Sequence, residues 1–210
     1  MNLSDRLERP NETMQRNFPV LLAVDPSVNN LGWAMYNMGA GGNCYDLKAW
    51  SYGLIQPYLV EKKDRKGIVK PMWRQHKWKH IYHELIKRLD GIQPTHFVSE
   101  WPTFMTGERG ALAVQLDYTI DLAGIVGYLA GRLAIKPDWI ALYTPLKWKG
   151  SVPKSVTETK FVRLFGEPAS IALRRGMSND TVDAIMIGEF WLTLYNQGKF
   201  SWMHQKIKTS

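Results

Sequence analysis

Asp180 and Asp183 stand three residues apart in a stretch with the apolar spacing of a helix. That spacing puts both carboxylates on one face, within a turn of each other. Asp25 closes the apolar run Val20-Leu21-Leu22-Ala23-Val24, and Pro26 follows it. Glu100 closes a second run, Phe97-Val98-Ser99, and is followed by Trp101-Pro102. Buried charges are paired or coordinate metals, because leaving one alone is costly. Each acid also has a plain explanation. Asp-Pro often simply ends a strand, and Asp180 suits the first turn of a helix, where the dipole favours an acid. Asp183 is harder to explain that way, because Ala184 and a strongly apolar helix follow it. The chemistry that needs several converging carboxylates is hard-cation binding. Magnesium keeps several waters and takes one or two carboxylates plus phosphate oxygens of a substrate. Two such ions, roughly 3.5–4 Å apart, activate a water and stabilise the leaving oxygen in phosphodiester hydrolysis. Lys149, Lys154 and Lys160 would then neutralise charge in the transition state.

The elements that must position these acids follow from pattern and turn chemistry. Val20–Pro26 reads as a strand buried on both faces. A tight turn at residues 27–30 leads to a second strand over 31–37. A glycine-rich turn over 39–43 leads to a third strand over 45–55, with Trp50, Tyr52 and Leu54 alternating. Three strands on short turns make an antiparallel meander. Residues 56–70 form a basic loop. Residues 73–89 show helical spacing at Trp78, Ile81, Tyr82, Leu85 and Leu89. A fourth strand runs over 95–100, a long apolar helix over 111–133 and a fifth strand over 139–143. A helix beginning near Pro153 ends at 166–168, a loop covers 174–178, and a last helix runs over 180–196, capped by Ser178 or Asn179. Gly124, Gly127 and Gly131 lie on or near one face of the long helix, where small residues admit a close neighbour, either the sheet or a second copy of the chain.

Charge narrows the partner. Twenty-seven Lys and Arg against nineteen Asp and Glu leave a net charge of +8 over 210 residues. That excess favours a polyanion, most simply a nucleic acid. A membrane-surface protein would need a basic amphipathic helix with a clean apolar face, and none is evident. Lys62, Lys63, Arg65, Lys66 and Lys70 fill the loop, and Arg74, Lys77, Lys79, Lys87 and Arg88 line the helix after it. A basic loop feeding a basic helix points to phosphate contact. No apolar run is long enough to span a membrane, and residues 1–18 lack the apolar core of a signal peptide. A single cysteine, Cys44, excludes an internal disulfide and a Cys-based zinc site. His76, His80 and His83 on the basic helix are better read as solvated or phosphate-facing than as zinc ligands. The expected organisation is a flexible extension over 1–18, one α/β domain over 19–197 and a basic tail over 198–210.

Four stretches together resemble the RuvC-type Holliday-junction resolvases of the RNase H-like superfamily. They are Ala23-Val24-Asp25-Pro26-Ser27 with Gly32-Trp33-Ala34, then Phe97-Val98-Ser99-Glu100, then Tyr143-Thr144-Pro145 with Lys149 and Lys160, then Asp180-Thr181-Val182-Asp183-Ala184. The resemblance covers about Val20 to Trp191. It implies an RNase H-like α/β fold, with a five-stranded mixed sheet whose first three strands are antiparallel, flanked by helices. It implies that Asp25, Glu100, Asp180 and Asp183 bind two Mg²⁺ ions, with Mn²⁺ as a substitute, Asp25 bridging both and Lys160 near the scissile phosphate. It implies a homodimer that cuts both strands of four-way or branched DNA. Lys149 and Lys160 reproduce the family's lysine spacing. Lys147, Lys149, Lys154, Lys77 and Arg74 are the expected DNA contacts. An aromatic after the fourth-strand Glu enters the junction in this family, and both Trp101 and Phe104 are candidates. The family usually has Gly where this chain has Ser27.

Two other readings share the pattern. One is an RNase H-like nuclease for RNA–DNA hybrids or flaps, because fold does not fix substrate. The other is a basic DNA-binding protein without catalysis, against which the set of four acids argues. The expected setting is the cytoplasm of a bacterium or phage-infected cell, or an organellar nucleoid, and not a secreted one.

Overall fold

A computed structural model describes residues 19–27, 30–38, 51–56, 72–102 and 109–199. Strands β1 (Val20–Pro26), β2 (Leu31–Asn37) and β3 (Ser51–Ile55) come first, followed by helix α1 (Met72–Leu89), β4 (His96–Glu100) and helix α2 (Arg109–Arg132). A 3₁₀ turn over Pro137–Trp139 leads into β5 (Ile140–Tyr143). Helices α3 (Pro145–Trp148), α4 (Lys154–Phe165), α5 (Glu167–Arg174) and α6 (Asn179–Asn196) complete the order. The five strands make one sheet in the order β3-β2-β1-β4-β5. The pairs β1–β2 and β2–β3 are antiparallel, whereas β1–β4 and β4–β5 are parallel. This is the mixed RNase H-like sheet that the resemblance implies.

Alternation along the strands divides the core in two. Leu22 and Val24 of β1, Trp33 of β2 and Phe97 of β4 face α1 and α2, where Ile81, Leu85, Val126 and Leu129 meet them. Leu21 and Ala23, Ala34 and Tyr36, Val98 and Tyr143 face the other way, against Phe161 of α4 and Val182, Ile185 and Trp191 of α6. Continuing that second set by two residues gives Asp25 on β1 and Glu100 on β4. Both acids therefore point toward α6. Every residue of α6 from Thr181 to Glu189 is buried, so this helix is the centre of its layer rather than its surface.

Two helices appear where the sequence reading expects none. Pro168 was expected to end a helix, but it lies in the first turn of α5, where its missing N–H costs nothing. Gly166, at φ 65°, turns the chain between α4 and α5. Pro145 opens α3 in the same way. Ser178 is the cap of α6, its hydroxyl accepting from the Thr181 N–H at 3.1 Å. Gly124 is explained within the chain, since a Cβ there would lie 2.3 Å from the Trp78 ring. No helix among the described residues is long and apolar enough to cross a membrane. Residues 1–18, the basic loop over 57–71 and the tail beyond Lys199 lie outside the described residues.

Candidate active site

Parallel pairing of β1 with β4 is what brings the first two acids together. Val24 stands opposite Ser99 in the ladder, so Asp25 and Glu100 are the next residues on neighbouring strands. Asp25 is buried, at 7% exposure. Burial, and then the charges of Glu100, Asp183 and Asp180, push its carboxyl well above the usual range. One residue thus feels all three other acids. Burial also raises Glu100, although Lys149 and a hydrogen bond from Trp148 work against the rise.

Lys149 is the cation at the centre of the cluster. Its Nζ donates to Asp183 Oδ2 at 2.9 Å and lies 3.3 Å from Glu100 Oε2. Burial alone would lower its pKa. The hydrogen bond to Asp183 and the charges of Glu100, Asp183 and Asp25 outweigh that and raise it. Trp148 completes the arrangement. Its indole N–H donates to Glu100 Oε2 at 2.9 Å, and its ring lies 4.7 Å from the Lys149 ammonium. The sequence reading passed over Trp148. Its signal was a half-buried indole N–H requiring an acceptor, at the end of a short helix that follows β5.

Asp180 is held from a different direction. Ser27 Oγ donates to its Oδ2 at 3.0 Å, and Asn30 Nδ2 donates to the same oxygen at 3.2 Å. The first turn of α6 also rests directly on β2. A Cβ at Gly32 would fall 1.9 Å from the Asp180 carbonyl oxygen, so only glycine admits the helix there.

The other expected site residues are dispersed. Lys160 is exposed on α4, and Lys147 is exposed with its ammonium 5.4 Å from the Tyr143 ring. Trp101 is 36% exposed next to Glu100, and its backbone N–H donates to Tyr143 O at 2.8 Å. The expectation that Lys77 faces DNA phosphate is corrected. Its ammonium turns inward and pairs with Asp121 Oδ2 at 3.0 Å, with the two side chains only 4% and 10% exposed. The cause is local: Asp121 on α2 needs a cation once α1 and α2 pack, and Lys77 lies across from it. Phe104 lies outside the described residues, as do the side chains of Arg74 and Lys154.

The donor chemistry of the cluster fits a hard divalent cation. All four acids offer oxygen, and one lysine does not balance them. As they stand, no three His, Cys, Asp or Glu side chains among the described residues are gathered tightly enough to hold one ion. Lys149 instead bridges two of the acids.

Solved structures share the fold. The structure of Thermus thermophilus RuvC matches with a TM-score of 0.53 at 15% identity, covering 85% of this chain and 96% of that one. The chain has the RuvC fold. The T. thermophilus RuvC in complex with Holliday junction substrate matches at 0.52 and 14% identity, over 86% of this chain and 95% of its own. The yeast mitochondrial Holliday junction resolvase Ydc2 matches at 0.43 and 12% identity, over 90% of this chain and 82% of its own. No family model and no curated protein sequence matches. The likeness to RuvC is therefore one of architecture at low identity, and the function must be argued from the site.

Proposed function

We propose that the protein is a structure-selective DNA endonuclease that resolves four-way or branched junctions by metal-assisted phosphodiester hydrolysis. One observation carries this reading: Asp25 and Glu100 end the paired strands β1 and β4, and Lys149 ties Glu100 to Asp183 in the first turns of α6, where Asp180 also stands, on the RuvC fold. Asp25, Glu100, Asp180 and Asp183 would hold Mg²⁺, two ions in all, with Mn²⁺ as a substitute. When bound, these ions activate a water and stabilise the leaving oxygen.

The chain's own residues do the rest. Asp25 and Glu100 are delivered side by side by a rigid parallel ladder, which fixes their spacing before any ligand arrives. Burial of Asp25 excludes bulk water and strengthens each charge interaction around it. Lys149 holds Glu100 and Asp183 together, and its ammonium would meet a phosphate of the DNA when those carboxylates hold a divalent cation. Lys160 and Lys147 are exposed cations that would contact the DNA backbone, with Lys160 near the scissile phosphate. Trp101 is the described aromatic placed to stack on an unpaired base. A homodimer would present two such sites for symmetric cleavage of two strands.

The test is to incubate the protein and Asp25→Asn with a four-way junction, a flap, an RNA–DNA hybrid and plain duplex in Mg²⁺. The junction should be cut best, and only by the unaltered protein. Preferred cleavage of the hybrid would move the substrate to RNA–DNA duplexes. Undiminished cutting by Asp25→Asn would end the assignment of the site.

A further inference from the structure

The loop between β1 and β2 does more than reverse the chain. Ser27 N–H donates to Asn30 O at 2.9 Å, and Asn30 N–H donates to Ser27 Oγ at 3.1 Å. These bonds tie the Ser27 backbone and hydroxyl to the Asn30 backbone. The Ser27 and Asn30 side chains then reach out of the loop to the same atom, Asp180 Oδ2, across 153 and 150 residues of sequence. The Ser27 hydroxyl has one hydrogen and two acceptors in range, Asp180 Oδ2 and Asn30 O at 3.2 Å. The Asn30 amide has a hydrogen to commit to Asp180 at all times. The helix itself has no need of this carboxylate as a cap, because Ser178 already serves the Thr181 N–H. Asp180 is therefore oriented by the loop, two residues beyond Asp25, and not by its own helix.

We propose that Ser27 and Asn30 are positioning residues that fix the Asp180 carboxylate by engaging Oδ2, so that Oδ1 is the oxygen presented to a divalent cation. This rests on the reading of Asp180 as a metal ligand. Hydrogen bonds from outside a metal's own ligands hold those ligands in orientation, and losing one typically weakens metal binding about 10- to 100-fold. A glycine at position 27, as the related resolvases usually have, offers no hydroxyl. In this chain two donors share the task, with the amide as the constant one. Asn30→Ala should then cost more than Ser27→Ala, and the double substitution more than either.

The experiment is calorimetric titration of Mn²⁺ alone into the full-length protein, without DNA. Its variants are Ser27→Ala, Ser27→Thr, Asn30→Ala, the double alanine substitution and Asp180→Asn. The expected result is affinity about tenfold weaker for Asn30→Ala and up to about 100-fold weaker for the double variant. Ser27→Thr, which keeps the hydroxyl, should stay within about twofold of the unaltered protein. In cleavage assays the Mn²⁺ concentration for half-maximal rate should rise while the rate at saturating Mn²⁺ changes little. A purely structural role would lower the melting temperature and leave the Mn²⁺ affinity of the folded protein alone, which overturns the proposal. Should the double variant not fold, the two single alanine variants decide by the same criterion. If Asp180→Asn binds Mn²⁺ as well as the unaltered protein, Asp180 is not a ligand and the reading beneath the proposal fails. If Asp180→Asn is weakened and the Ser27 and Asn30 variants are not, only the positioning role fails.

Discussion

Buried Lys77 and half-buried Lys149 each pair with a carboxylate that also takes an indole N–H. Lys77 pairs with Asp121, whose second oxygen accepts from Trp78 Nε1 at 2.8 Å. Lys149 pairs with Asp183 and Glu100, and Trp148 donates to Glu100. The parts are alike and their surroundings are not. At the first site Lys77 and Asp121 are both almost fully buried, and the bonds of Asp121 to Lys77 and Trp78 tie α1 to α2. At the second, one cation faces Glu100 and Asp183 directly, with Asp25 and Asp180 close by, and burial first, then neighbouring carboxylate charge, pushes Asp25 and Glu100 upward. The first is a clasp between two helices. The second is a site awaiting more positive charge.

The strongest way to break that contrast is to neutralise an acid in the unbalanced cluster. Asp25→Asn should lower junction cleavage by at least about 10³-fold, the scale on which lost transition-state charge stabilisation is felt. The same change should raise the melting temperature of the metal-free protein, because the amide replaces a carboxylate that is destabilised where it lies. A thermal melt and a single-turnover assay on one preparation check both. Lys77→Met makes the opposite prediction. It strands Asp121 in the core and should cost about 3–5 kcal/mol in a urea titration, with cleavage per folded molecule unchanged. A loss of catalysis out of proportion to unfolding would put the clasp inside the functional machinery.

Removing the cation from the unbalanced cluster is a finer probe. Lys149→Met should lower the melting temperature of the metal-free protein. It should also tighten Mn²⁺ binding about tenfold, roughly 1.4 kcal/mol, since no ammonium would then compete for the two carboxylates. Calorimetry with Mn²⁺ reads this directly, and weaker binding would show that Lys149 supports the ion rather than standing in for it. The smallest effect concerns a buried acid whose shift owes nothing to neighbouring charge. Burial alone lifts Glu189 of α6 to about 8. Its folded pKa is above its unfolded one, so the folded state holds the extra proton between roughly pH 4.5 and 8. Stability from this group is full below that window and is lost as pH rises through 8. Glu189→Gln should remove a decline of about 1 kcal/mol between pH 7 and 8, visible in urea titrations at the two values.

Much of the fold was legible because its signals are local. The apolar run before Asp25, the helical spacing after residue 72 and the serine cap of α6 each announce an element from its own residues. Short α3 and α5 were missed because proline was read as a stop, when it also begins helices. The four acids were legible as a pattern of strand ends and a helix start. Their neighbours were not. Lys77 looked like one more lysine on a basic helix, and only the packing of α1 on α2 shows Asp121 waiting for it. Trp148, Ser27 and Asn30 matter through partners 48, 153 and 150 residues away, and no spacing rule reaches that far.

The seat that Gly32 provides for α6 has a consequence for biosynthesis. A ribosome delivers Asp25 and Glu100 long before Asp180 and Asp183, and α6 can settle on Gly32 only after its own residues have emerged. Contacts between such distant residues form late, since the loop they close must be ordered first. A growing chain thus displays its basic residues while two of the four clustered acids, Asp180 and Asp183, are still missing. On the proposed function, such a chain would touch nucleic acid near its place of synthesis before it could cut it.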